Sequence, residues 1–155
     1  MAKAAQGIEV IARGVCVRAG RLLLCHCKGA ANTYLPGGHV EFGEAAAYSL
    51  VREVQEELGV GSKAGRFLGA VEHTYWRRGK PQCEVNLVFL LSIPGLSARQ
   101  RPASQEEYIE FLWVPLEQLR HSGLEPHPLR RLLPAWLDRA KGRATWASTF
   151  ASRKR

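Results

Sequence analysis

The chain has 155 residues, 46% hydrophobic and 23% charged, a balance that suits one globular domain with one core. Its longest apolar run, Leu87–Leu91, is far too short for a bilayer, and no repeat or low-complexity tract occurs, so membrane-spanning, collagen-like and disordered classes are excluded. The net charge is +8, but Arg139, Lys141, Arg143, Arg153, Lys154 and Arg155 follow Asp138 with no acid among them, so the basicity reads as a solvated tail and nucleic acid is not expected as a partner.

Residues 1–7 read as a flexible arm with no sustained apolar segment, which points to a cytoplasmic protein. Cys16, Cys25, Cys27 and Cys83 are then expected as free thiols. Cys25-His26-Cys27 has no second ligand pair at zinc spacing, so packing in a strand is the better reading. Ile8–Arg18 is predicted as a strand, turning at Ala19-Gly20 into a second strand, Arg21–Cys27. After a loop, Pro36-Gly37-Gly38 argues against regular structure.

Glu44–Leu58 is the clearest helix. Ala47, Leu50, Val51, Val54 and Leu58 form one apolar stripe, and Gly59 stands where a left-handed cap belongs. Arg66–Tyr75 and Cys83–Ile93 are predicted strands joined by a turn over 77–81. Residues 95–107 form a long loop, a feature that often carries function. Tyr108–Val114 reads as a strand with Trp113 in the core, and Leu116–Arg120 as a short helix. Leu129–Ala140 is a longer helix in which Pro134 marks either a kink or the first turn. Ala144–Phe150 takes no assignment.

Chemistry concentrates between Gly37 and Val60. Glu53, Glu56 and Glu57 stand at i, i+3 and i+4, so they share a helix face beside the apolar stripe. Three crowded carboxylates repel unless a cation neutralises them, and hard oxygen ligands suit Mg²⁺, with Mn²⁺ as an alternative. Arg52 is placed to hold one of these acids in a fixed orientation. Without side chains, Gly37 and Gly38 let backbone groups approach a metal or phosphate. The chemistry implied is metal-assisted attack of water on a phosphoanhydride.

The full pattern is longer than the acid cluster. Gly38 is followed after five residues by Glu44. Seven further residues lead to Arg52-Glu53-Val54, and Glu56-Glu57 and Gly59-Val60 complete it. These positions match the Nudix box without departure, and the chain resembles the Nudix hydrolase family, MutT-like, over about residues 8–140. The resemblance implies an α/β fold, an α/β/α sandwich with a mixed twisted sheet, occupying residues 8–141 ahead of a basic tail, 142–155. It implies Glu53, Glu56 and Glu57 as metal ligands, with a further ligand from the backbone of Gly37 or Gly38. Arg52 would orient Glu53, and Glu44 would support the loop–helix geometry. Members differ in their general base: some use a box glutamate, which keeps Glu53 and Glu57 as catalytic candidates, and others a glutamate from a later loop. Glu106, Glu107 and Glu110 are candidates, Glu107 as metal ligand and Glu110 toward substrate.

The implied substrate is a nucleoside diphosphate linked to another moiety, most simply a nucleoside triphosphate or related small nucleotide. Tyr75 resembles a residue of dinucleoside-polyphosphate hydrolases and is a candidate substrate contact. Tyr34, His73 and Asn86 are candidates for a base pocket. A non-catalytic nucleotide- or RNA-binding module is the alternative class. Many relatives dimerise, so the resemblance admits a homodimer.

Overall fold

The N-terminal apolar stretch divides at Cys16 and serves two sheets. In the computed structural model, which describes residues 7–138 and 143–150, strand β1 is Glu9–Val15 and β2 is the two-residue Val17–Arg18. Only β2 pairs with β3, Arg21–Cys27, across the Ala19-Gly20 turn, where both residues have positive φ. The expected hairpin is therefore real but short, because β1 crosses to the other sheet.

That sheet has five strands in the order β4-β1-β6-β5-β8. Gly37–His39 forms β4, antiparallel to β1, so the Pro-Gly-Gly segment is more regular than its composition predicts. β1 runs parallel to β6, Lys80–Ser92, which is antiparallel to β5, Lys63–Arg77. The turn shrinks to Arg78-Gly79, so β5 ends later and β6 begins earlier than predicted; β5 also begins earlier, at Lys63, and β6 ends one residue short of Ile93. Thr145–Ser148, left unassigned from sequence, adds to the edge as β8, parallel to β5. The sheet is thus mixed. A smaller sheet holds β2, β3 and β7, Ile109–Pro115.

Helix α1, Ala46–Leu58, covers one face of the large sheet. Leu50, Val54 and Leu58 pack with Ala12 and Leu91. Gly59 caps it at φ 67°, donating to the Gln55 carbonyl, as its position predicts. Helix α2, Leu129–Leu137, covers the other face, with Leu129, Leu133 and Trp136 against Val15, Val71 and Val88. Pro134 lies inside α2, exposed, not in its first turn. A 3₁₀ turn, Leu116–His121, precedes it. The end of the predicted helix, 139–140, lies outside the described residues, as do residues 1–6 of the arm and 151–155 of the tail.

β3 stands between the two cores. Leu22 and Leu24 face one, Leu23 and Cys25 the other. A strand buried on both faces needs an unbroken apolar run, which explains Leu22–Cys25. Cys16 and Cys25 are buried as packing predicts, whereas Cys27 is exposed. Trp113 is only partly buried. Its indole N–H donates to the Gln100 carbonyl at 3.2 Å, tying down the long loop.

Candidate active site

The helical period places Glu53, Glu56 and Glu57 on neighbouring positions of α1 but at three depths. Glu57 is 7% exposed, the Glu53 side chain 18% and the Glu56 side chain 53%. Arg52 organises the upper two. Its Nη1 donates to Glu53 at 3.0 Å and to both Glu56 oxygens at 3.2 and 3.3 Å. Its Nε and Nη2 grip the two Glu44 oxygens at 2.8 and 3.1 Å, a bidentate pair that fixes the guanidinium plane. Nη2 also donates to the His39 carbonyl at 3.2 Å, which the Ser49 hydroxyl shares at 2.9 Å, so α1 and β4 are stitched together. Arg52 holds the Glu44 carboxyl down to about 2, helped by the Glu41 amide.

Gly38 lies directly against the Glu53 carboxylate. A Cβ there would run into it. Gly37 has φ 135° and its missing side chain leaves room for the Ala12 carbonyl. Bonds from Gly14 to the Pro36 carbonyl and from Val40 to the Val10 carbonyl bracket the β1–β4 register. Antiparallel alternation then makes Ala12–Gly38 a bonded pair and turns the Gly37 backbone away from β1.

Glu57 is the unusual member. Burial pushes its carboxyl up to about 7, with Glu53 and Glu106 adding to the rise, while Arg13 and the Gly37 amide oppose it. Its Oε2 is buried and has no hydrogen-bond partner among the described residues. The loop after β6 is clamped to this end of α1: the Gln105 amide and the Ser104 hydroxyl donate to the Glu57 carbonyl at 2.7 and 3.4 Å.

The later acids separate. Glu106 is half-buried and acts electrostatically on Glu57. Glu107 is exposed, and Glu110 pairs with His26 at 3.2 Å across β3–β7, so neither is drawn to the α1 carboxylates. Tyr75 is also apart from them, on β5, where its ring stacks on His73 at 5.3 Å.

Arg13 escapes sequence reasoning and is central here. Its Nη1 donates to the carbonyls of Leu35 and Gly37 at 3.0 and 3.3 Å, its Nε donates to Asn86 Oδ1 at 3.3 Å, and its guanidinium lies 5.2 Å from the Tyr34 ring centre. A charged residue flanked by buried Ala12 and Gly14 inside a strand was the available signal.

A divalent ion suits this donor set. The oxygens are hard, one of them is buried without a donor, and a glycine backbone edge faces them. Among the described residues no three such side chains already form a closed metal cage. Mg²⁺ does not require one, since it usually keeps waters and takes only one or two carboxylates plus substrate phosphates.

A family model described as NUDIX domain matches residues 8–136. A curated relative from Mycobacterium tuberculosis, described as mutator protein MutT4, is 29% identical over 85 residues, or 55% of this chain and 33% of that protein. The match thus spans about a third of the relative's length. The crystal structure of a MutT NUDIX hydrolase from Burkholderia pseudomallei is 28% identical, with TM-score 0.59 over 72% of this chain and 86% of that one. A MutT protein from Bacillus halodurans has TM-score 0.69 over 90% of each chain at 17% identity, a likeness of fold.

Proposed function

The chain belongs to the NUDIX hydrolase family, and from that premise we propose that it hydrolyses a phosphoanhydride bond of a nucleoside diphosphate linked to another moiety, a nucleoside triphosphate or related small nucleotide being the substrate class. The observation that carries this reading is the buried Glu57 oxygen left without a donor beside two acids braced by Arg52. A buried acid kept in that state costs stability, and a cation that accepts its oxygen offsets the cost.

Glu53, Glu56 and Glu57 would hold Mg²⁺, or Mn²⁺ in its place, together with a backbone carbonyl. Of the two glycines we assign that role to Gly37, because pairing with Ala12 occupies the Gly38 backbone whereas the Gly37 backbone is turned away from β1. A bound ion supplies positive charge to the phosphate oxygens and acidifies water. The chain's own residues do the rest. Arg52 keeps Glu53 and Glu56 in one orientation, and Glu44 keeps Arg52 in place. Arg13 fixes the Leu35–Gly37 turn and sets a positive charge near Glu57. Glu106, the later acid within electrostatic reach of Glu57, is assigned as proton acceptor from the attacking water. The four cysteines are free, and we assign the protein to a reducing cytoplasm.

The test is a panel of nucleoside triphosphates, nucleotide sugars and dinucleoside polyphosphates with Mg²⁺, read by phosphate release after pyrophosphatase or phosphatase coupling. Turnover that disappears with chelator and in Glu57→Gln supports the reading. No turnover on any member of the panel refutes it.

A further inference from the structure

One face of the large sheet carries a row of polar groups leading away from the carboxylates. The register sets Glu9 opposite Glu84 and Glu84 opposite His73, so these three lie on one face across β1, β6 and β5. Asn86 and Arg13 are on the same face nearer Gly37, linked by the Arg13–Asn86 bond. Four residues separate the Glu84 level from Val88, which is opposite Arg13. That is a span of roughly 13 Å along the strand.

Glu84 is only 7% exposed. Its Oε1 accepts from Asn86 Nδ2 at 2.9 Å, while its other oxygen takes no hydrogen bond or ion pair from any described residue. Asn86 is itself saturated: Nδ2 also approaches the Val71 carbonyl at 3.4 Å, and Oδ1 accepts from Arg13. The acid is therefore held by a fixed amide and left with one acceptor unused. Among the described residues only Glu57 Oε2 and Ser62 Oγ are fully buried without a partner, so this second Glu84 oxygen stays open to a donor from outside. Beside it, His73 and Tyr75 stack at 5.3 Å with their rings 20° apart, a rail that another flat ring can extend. The His73 ring is tethered through Nδ1 to the Thr149 hydroxyl at 3.1 Å.

We propose that Glu84 sets base specificity, accepting N–H donors from a guanine-type base that stacks against the His73–Tyr75 rail. This rests on the nucleotide-hydrolase reading above. Guanine presents its ring N–H and its amino group side by side, so a lone acceptor oxygen meets donors only. The ring N–H of uracil is flanked by carbonyls, which the carboxylate repels. Adenine and cytosine place a ring acceptor next to their amino group. A bare cation would use the carboxylate but not the rail.

The wild-type chain and Glu84→Gln are titrated calorimetrically with GMP, AMP, CMP and UMP in chelator, where no hydrolysis occurs. Glutamine can keep the Asn86 bond through its oxygen and turn the unused acceptor into a donor. Wild type is expected to bind GMP about tenfold or more tightly than UMP. In the variant that preference falls away or reverses toward UMP. The melting temperature of each protein reports folding. Equal binding of all four by wild type, binding of none, or a folded variant that keeps the GMP preference overturns the proposal. The wild-type ranking decides even where the variant does not fold. Guanine preference without turnover on the substrate panel refutes the hydrolase reading instead and leaves this one standing.

Discussion

Replacing Glu57 by Gln should make the metal-free protein more resistant to unfolding at alkaline pH while abolishing turnover. Its carboxyl sits at about 7 in the folded protein against an ordinary 4.5, chiefly because burial penalises the ionised form. The folded chain therefore holds this proton more tightly than the unfolded chain. The stability this group contributes is complete below pH 4.5 and is lost as pH rises through about 7. The gap between those values corresponds to roughly 3 kcal/mol at about 1.4 kcal/mol per pH unit. Glutamine cannot ionise, so the variant escapes that loss. Glu44, held down to about 2, loses its contribution only in stronger acid and does so in both proteins, so it cancels. Urea unfolding of both proteins in chelator at pH 4.5 and pH 8 measures the difference. The wild type should fall by roughly 3 kcal/mol relative to the variant between the two conditions. Magnesium at ten times its Kd should restore about 1.4 kcal/mol to the wild type at pH 8 and much less to the variant. Parallel pH profiles for the two proteins would refute the account of Glu57 as a buried acid awaiting a cation.

Three further outcomes follow from the same geometry. Arg52→Lys removes the bidentate grip on Glu44 and cannot span Glu53 and Glu56 together; kcat should fall about 100-fold, read beside a circular-dichroism melt that shows the fold retained. Gly38→Ala drives a methyl into the Glu53 carboxylate and should lower activity about tenfold or more, whereas Gly61→Ala, whose added methyl would meet no atom within 4 Å, should match wild type in the same assay. Glu106→Gln should cost kcat more than Glu107→Gln or Glu110→Gln, by about 100-fold against less than about threefold in steady-state kinetics, because only Glu106 acts on Glu57.

Much of the fold follows from local pattern. The stripe Leu50, Val54, Leu58 and the glycine after it delimit α1, and the run Leu22–Cys25 identifies β3. The division of the first strand at Cys16 was hidden, because an apolar run does not say which of two sheets each half joins. β4 was hidden for a different reason. Gly37 and Gly38 lack strand propensity, and they pair with β1 because β1 and Glu53 leave room only for glycine. β8 owes its place to non-local pairing with Gly69–Glu72, which no window of its own sequence encodes.

The site divides along the same line. The α1 acids and Arg52 are neighbours in one helix, so their spacing alone brings them together. Their inequality is not in the spacing: Glu57 turns toward the core beside Leu58 while Glu56, one residue before it, faces solvent. That difference depends on β1 and β4 packing against α1, a tertiary fact. The sheet-face groups are the opposite case. Arg13, Asn86, Glu84 and His73 come from three strands, and their alternation with apolar neighbours imitates an ordinary solvent-facing edge. Alternation alone sets Glu84 and Asn86 on one face of β6, where they bond to one another; their burial and the company of Arg13 and His73 come from the neighbouring strands. Reaction chemistry can therefore be read from a helix, because the helix sets its own geometry. Under the proposed role of Glu84, substrate choice would reside on a face assembled by strand pairing, where a single altered side chain would change what is accepted without disturbing the acids on α1.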